Sequence, residues 1–342
     1  MNGRQRTLAA IRGEWPDRVP VMLANYMVAA REAGVSMQQF RTDPAAILRT
    51  FVGAVEKYQC DSVYMTIDVA TVAGALGVEI DFPNDGPARW LGPALKDLSE
   101  TMELEPPNVA AYWEAQVWAE ATNLLKSYFG DEILVRGDCD QAPFSLACAM
   151  RGLQQWMVDL AERRHLEFAH RLLQYCTDAS KQFISLIVAA GADMVSTGDS
   201  PAGPDMISPR MYREFAFPYE QQVVRHAHSL GVPHVLHICG DTTLLLEDMV
   251  ATGSDGLELD YKTDVNRAHD VLKNNTTLVG NLDPAGVITF GSTALVEQKT
   301  RELLEVFSDT PRFILAAGCD IPPDAPAENL QAMVRVARDF TA

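Results

Sequence analysis

Positive charge is scarce in this chain: 28 lysines and arginines stand against 46 aspartates and glutamates, a formal net charge of −18. A field of that sign repels phosphate backbones and anionic headgroups across a Debye length, which excludes nucleic acid and an anionic membrane surface as partners. Long apolar runs are missing as well. No stretch reaches the roughly 20 residues of a bilayer-spanning helix, and the opening MNGRQRTLAAIRGEWPDRVPV has no apolar segment leading to a small-residue cleavage site. The chain is therefore expected to be cytoplasmic and away from membranes. Its six cysteines (Cys60, Cys139, Cys148, Cys176, Cys239 and Cys319) are too dispersed in 342 residues for a disulfide framework. In a reducing compartment they are buried apolar residues or ligands. No GxGxxG or Walker sequence opens a helix, which weakens a nucleotide-binding reading.

What is present is a repeated unit. Short apolar runs occur at SVYMTI (62–67), ILVRG (133–137), DMVSTG (193–198), PHVLHI (233–238), DGLELD (255–260), TTLVG (276–280) and RFILAAG (312–318). Runs without polar alternation are typical of parallel strands covered on both faces. Amphipathic stretches lie between them. In 207–230, Ser208 is an expected N-cap with Pro209 at the first helical position, and 242–253 ends on Gly253 as a helix C-cap should. No linker or low-complexity segment divides the chain. The expectation is one (β/α)8 barrel domain over residues 1–342, with an N-terminal helical extension.

In such a barrel the chemistry sits where strands run out into the following loops. Polar residues gather there: Asp68, Asp138, Asp140, Asp199, His237, Cys239, Glu258, Asp260, Asn281, Asp283 and Cys319. His237 and Cys239 are two residues apart on a strand, so both side chains leave the same face, about 6–7 Å apart at the backbone. With Cys319 from another strand they would form a soft N/S set suited to Zn²⁺, three protein ligands leaving one exchangeable position. The competing interpretation is that both cysteines are ordinary buried residues with His237 hydrogen-bonded nearby, because H-x-C alone is a weak motif.

PDRVPV at the start, then IDVATVAGALGVEIDFP (67–83), APFSLACAMRG (142–152), ISPRMYREFAFPYEQQVV (207–224), GNLDP (280–284) and ILAAGCDIPPDAPAENL (314–330) follow one another as in the uroporphyrinogen decarboxylase superfamily, which the chain resembles along nearly its whole length. The resemblance implies a (β/α)8 barrel. It departs from the decarboxylase itself: Asn25 and Ala29 stand where that enzyme's two pocket arginines are expected, Ala149 replaces its pocket tyrosine, and Cys319 replaces a histidine. Asp68 matches the decarboxylase's central aspartate. These departures resemble the methylcobamide:thiol methyltransferase branch of the superfamily, which uses an H-x-C pair and a distant C-terminal cysteine to bind zinc.

The resemblance implies a zinc-dependent methyltransferase that moves a methyl group between a corrinoid and a zinc-activated substrate, most readily a thiol. Methylcobalamin or a separate corrinoid protein would be the partner, since no D-x-H-x-x-G corrinoid signature is present. The metal ligands are then His237, Cys239 and Cys319, with Asp260 the first candidate for the fourth position and Glu258 the second. Asp68 is the expected catalytic carboxylate, and Asn25, Tyr26, Asp138 and Asp199 the expected substrate contacts. Each acidic residue could equally cap a helix or hold a loop. A cationic methyl donor would be served by such carboxylates with Tyr26 or Trp90. The alternative function is decarboxylation of a tetrapyrrole or other carboxylate through Asp68 without metal; a further possibility is a non-catalytic scaffold for a corrinoid protein.

Overall fold

The structure, a computed structural model, describes residues 1–340. Eight parallel strands pair in chain order: β1 Met22–Leu23, β2 Ser62–Met65, β3 Leu134–Gln141, β4 Met194–Gly198, β5 His234–Ile238, β6 Gly256–Leu259, β7 Thr277–Leu282 and β8 Phe313–Ala317. The two ends meet. Val21 bridges Leu315 in parallel, and the Leu315 amide donates to the Pro20 carbonyl at 2.9 Å. The result is a closed (β/α)8 barrel, as the apolar runs predict. Seven strands overlap those runs; the first does not stand out because it is two residues long and follows Pro20, which has no amide for a ladder.

The helix Gly3–Arg12 covers the floor of the barrel. Asn2 and Gln5 form a reciprocal capping box at its start, and Gly13, at φ 75°, ends it in the left-handed region that favours glycine. Leu8 and Ile11 pack on Met22, Leu134, Met194, Val235, Val279 and Ile314, which come from six different strands. Asp61 fixes the helix laterally: its carboxylate receives Arg6 at 2.5 Å, Arg18 at 2.8 Å and the Val21 amide at 2.9 Å. The larger core lies between the strands and the outer helices, with Trp118, Phe144, Trp156 and Phe183 buried in it.

Two local expectations need correction. The stretch 207–230 is two helices, Pro209–Phe215 and Phe217–Ser229, because Pro218 lacks an amide and its ring crowds the preceding turn. Ser208 does cap the first, accepting from the Met211 amide. The stretch 242–253 becomes helical only over Leu246–Ala251, and Gly253 follows at φ 90°.

A bulge in β3 shapes the mouth. Asp138 pairs with Ser196 and Gln141 with Gly198, three residues against two, and Asp140 takes up the extra residue at φ 60°. Such bulges re-aim side chains, and aspartate tolerates this conformation better than most residues. Among the described residues no helix is long and apolar enough to cross a membrane.

Candidate metal centre

β5 delivers His237 to the barrel mouth, and Cys239 follows one residue past the strand's end. At Gly240 the chain turns with φ 86°, and its amide donates to Asp260 Oδ2 at 2.9 Å. Cys319 arrives from the end of β8. A side chain at the preceding Gly318 would put its Cβ 2.5 Å from the Tyr261 amide nitrogen, so only glycine lets these two loops approach this closely. His237 Nε2 then lies 2.9 Å from Cys239 Sγ, and Cys239 Sγ lies 3.7 Å from Cys319 Sγ. The three donor atoms all fall within 4.8 Å of one another.

His237 Nδ1 is 3.0 Å from the Glu258 carbonyl oxygen, which can only accept, so Nδ1 carries the proton and Nε2 faces the sulfurs. Burial alone would lower the imidazole's pKa, but the Cys239 thiolate and Glu258 outweigh it and push it up to about 10. The two thiols behave oppositely. Cys319 donates its S–H to Cys239, which with His237 holds Cys239 well below the ordinary thiol range, while the same bond and burial push Cys319 far above it. An imidazole and two sulfurs, one already favoured as thiolate, fit a soft divalent ion such as Zn²⁺. Cys60, Cys139, Cys148 and Cys176 are buried, whereas Cys239 and Cys319 keep partial exposure.

The triad lines a cavity of about 100 Å³ together with Tyr64, Thr66, Arg136, Asp138, Asp140, Glu258 and Asp320. A larger cavity of about 760 Å³, lined by Met27, Arg31, Met37, Pro322 and Pro323 among others, meets it at Asp320. Arg136 organises the inner wall: Nη2 is 2.5 Å from Glu258, Nε donates to Ser196 at 2.9 Å, and the guanidinium lies 4.1 Å above the Tyr64 ring. Asp138 accepts from Thr66 at 2.9 Å and Ser196 at 3.3 Å, and burial pushes its carboxyl up to about 6 despite Arg136.

Of the expected residues, the structure brings together His237, Cys239, Cys319 and Asp138. It does not bring Asp260 to the triad. Both Asp260 oxygens are engaged, by the Gly240 amide and by the Lys262 amide at 3.1 Å, so it holds the loop that presents Cys239. Glu258 is closer, 3.8 Å from His237 Nδ1, but its carboxylate is paired with Arg136. Asp68 lies outside the inner cavity and accepts from the Ala70 amide at 2.9 Å and Thr71 at 3.3 Å. Asp199 is fully buried and caps Ser145, taking its amide and hydroxyl at 2.7 Å each. Asn25 and Tyr26 are buried and line neither cavity, with Tyr26 packed on Phe40, and Trp90 sits on the short antiparallel hairpin of Glu79–Asp81 with Arg89–Gly92. Arg136, Tyr64, Thr66 and Asp320 escaped the sequence reading. An arginine inside the apolar run ILVRG was the one available signal.

Residues 2–340 match the sequence family described as uroporphyrinogen decarboxylase (URO-D). The methylcobamide:CoM methyltransferase MtbA of Methanosarcina acetivorans is 32% identical over 221 residues, covering 65% of this chain and 62% of that protein. This chain thus spans less than two thirds of that relative's length. The methylcobamide:CoM methyltransferase MtaA of Methanosarcina barkeri is 25% identical and is matched over 99% of this chain and 98% of its own. A solved methyltransferase structure from Methanosarcina mazei superimposes with a TM-score of 0.91 at 25% identity, covering all of both chains.

Proposed function

The chain belongs to the uroporphyrinogen decarboxylase family, and within it we propose that this protein is a zinc-dependent methyltransferase of the cytoplasm, passing a methyl group between a corrinoid co-substrate and a thiol. One observation carries the reading: His237, Cys239 and Cys319 converge with all donor atoms within 4.8 Å at the barrel mouth. The similarity to two methylcobamide:CoM methyltransferases supports it. His237, Cys239 and Cys319 would hold the ion, and bound zinc supplies the Lewis acidity that keeps a thiol, ordinarily near pKa 8.5, as the nucleophilic thiolate at neutral pH.

The surrounding residues divide the remaining work. The Glu258 carbonyl fixes the His237 tautomer, and Arg136 holds Glu258 in place. Asp260 fixes the Gly240 amide and with it the loop carrying Cys239. The apolar floor closes the cavity from below, so substrate would enter from the mouth, where Asp320 borders the outer cavity at which a corrinoid protein would dock. Decarboxylation through Asp68 fits this site less well: Asp68 is buried outside the inner cavity, its Oδ1 taken by Ala70 and Thr71 and its Oδ2 3.7 Å from Arg41.

The test is metal content by mass spectrometry on protein purified without a histidine tag or chelator, followed by methylcobalamin consumption with added thiols. The expectation is about one zinc per chain, with little in Cys239→Ser or Cys319→Ser and no methyl transfer by either. Metal-free wild-type protein would overturn the proposal.

A further inference from the structure

The inner cavity is one-sided in charge. Asp138, Asp140, Glu258 and Asp320 all line it, and Arg136 is the single guanidinium among them. That guanidinium is charge-paired with Glu258 and also meets Ser196, the Met22 sulfur at 3.4 Å and the Tyr64 ring. The arginines of the outer cavity region are engaged too. Arg41 donates to the Pro83 and Gly86 carbonyls and lies 3.7 Å from Asp68, and Arg31 pairs with Asp324 at 3.3 Å. A divalent ion on one neutral imidazole and two thiolates has no net charge, so loading the site with zinc leaves the surplus of carboxylates in place.

Two of these carboxylates have acceptor capacity that no protein group satisfies. Asp140 is 1% exposed, and its Oδ1 has no hydrogen-bond partner although the residue lines the cavity. Asp320 receives no protein hydrogen bond among the described residues and lines both cavities. An anion entering here would exchange its hydration for a mostly acidic wall whose one guanidinium is already charge-paired with Glu258, a juxtaposition that binding sites avoid. A cation would find unsatisfied acceptors.

We propose that the small-molecule substrate of this site carries a positive charge, as an ammonium or alkylammonium group recognised by Asp138, Asp140 and Asp320, and that anionic thiols are poor ligands. The inference rests on the methyltransferase reading for the location of the reacting atom, and on the cavity's charge for the rest of the substrate.

Two thiols of equal chain length separate the possibilities: 2-aminoethanethiol, a cation, and 2-mercaptoethanesulfonate, an anion. Both are titrated calorimetrically into the zinc-loaded protein. The amine should bind at least about tenfold more tightly, and the preference should shrink in Asp138→Asn and in Asp320→Asn, each checked for unchanged zinc content. Equal affinity, or tighter binding of the sulfonate, overturns the inference while leaving the thiol reading intact. If neither thiol binds, the thiol reading fails, and tetramethylammonium against methanesulfonate decides the charge: saturable binding of the cation alone sustains it, and any other result overturns it.

Discussion

The floor and the mouth of this barrel are made from the same strands, and what separates them is two or four residues of climb. Successive inward residues rise about 6.5–7 Å along a strand. On β3 the inward series runs from Leu134 in the floor cluster, through Arg136 against Glu258, to Asp138 in the cavity wall. On β5 it runs from Val235 to His237 and, just beyond the strand, Cys239. The floor is apolar and sealed by Leu8 and Ile11 of the first helix, so its residues act through packing alone. The mouth collects ionisable groups that each need a partner, and those partners come from neighbouring strands and their loops. Stability and chemistry are thus stacked in one barrel with a charged pair between them.

The sharpest way to test that separation is to remove a ligand at the top and a packing residue at the bottom. Cys239→Ser should lower zinc to below about one tenth of an ion per chain, because thiolate ligands dominate the affinity of such sites. Methyl transfer from methylcobalamin should fall at least about a hundredfold, with unfolding of the metal-free protein little changed. Zinc retained by Cys239→Ser would break the comparison at its top.

Arg136 lies at the boundary and should register second. Its side chain is 1% exposed and that of Glu258 5%, so Arg136→Met leaves a carboxylate buried without its counter-charge. Breaking such a pair costs about 3–5 kcal/mol. Adding Glu258→Gln should recover most of the loss, measured as a double-mutant cycle in urea. If the double variant is as unstable as the single one, Arg136 acts by packing on Tyr64 and belongs with the floor.

Leu134→Ala comes third, at about 2–4 kcal/mol for a fully buried leucine whose site cannot collapse. Zinc per folded chain should be unchanged. A fall in metal content at this distance would mean that floor and mouth are not separable.

How far the sequence reading reached follows the same division. Seven of the eight strands were legible because parallel strands buried on both faces lose their polar alternation, and the two-residue β1 offered too little to see. His237, Cys239 and Cys319 were legible because their side-chain chemistry is rare at strand ends. The carboxylates were not. Asp138, Asp199 and Asp260 all come at the end of an apolar run, yet one lines the cavity, one caps Ser145 from 54 residues away and one holds Gly240. Only tertiary neighbours decide among those roles. Arg136 was hidden for the opposite reason, as one charged residue within an apolar run.

The last prediction concerns an acid behind the wall. Glu114, on the helix Trp113–Phe129, is fully buried, and neither carboxylate oxygen has a hydrogen-bond partner. Burial first, and then the negative charge of Asp68, push it from an ordinary 4.5 up to about 10. The sign follows from proton binding. Below about pH 4.5 the folded and unfolded chains both hold the proton and the group is neutral toward stability. Above it the unfolded chain releases the proton while the folded one retains it, so stability declines with rising pH until about 10, by at most about 1.4 kcal/mol per unit. Glu114→Gln mimics the protonated form and removes the decline. Its Tm should match wild type near pH 5 and exceed it by a few degrees at pH 8 to 9, with zinc content unaltered. A gap that does not widen with pH would mean that Glu114 is ionised in the fold and paired through Asp68 or Arg41, which would place this acid with the charged mouth instead of the packed interior.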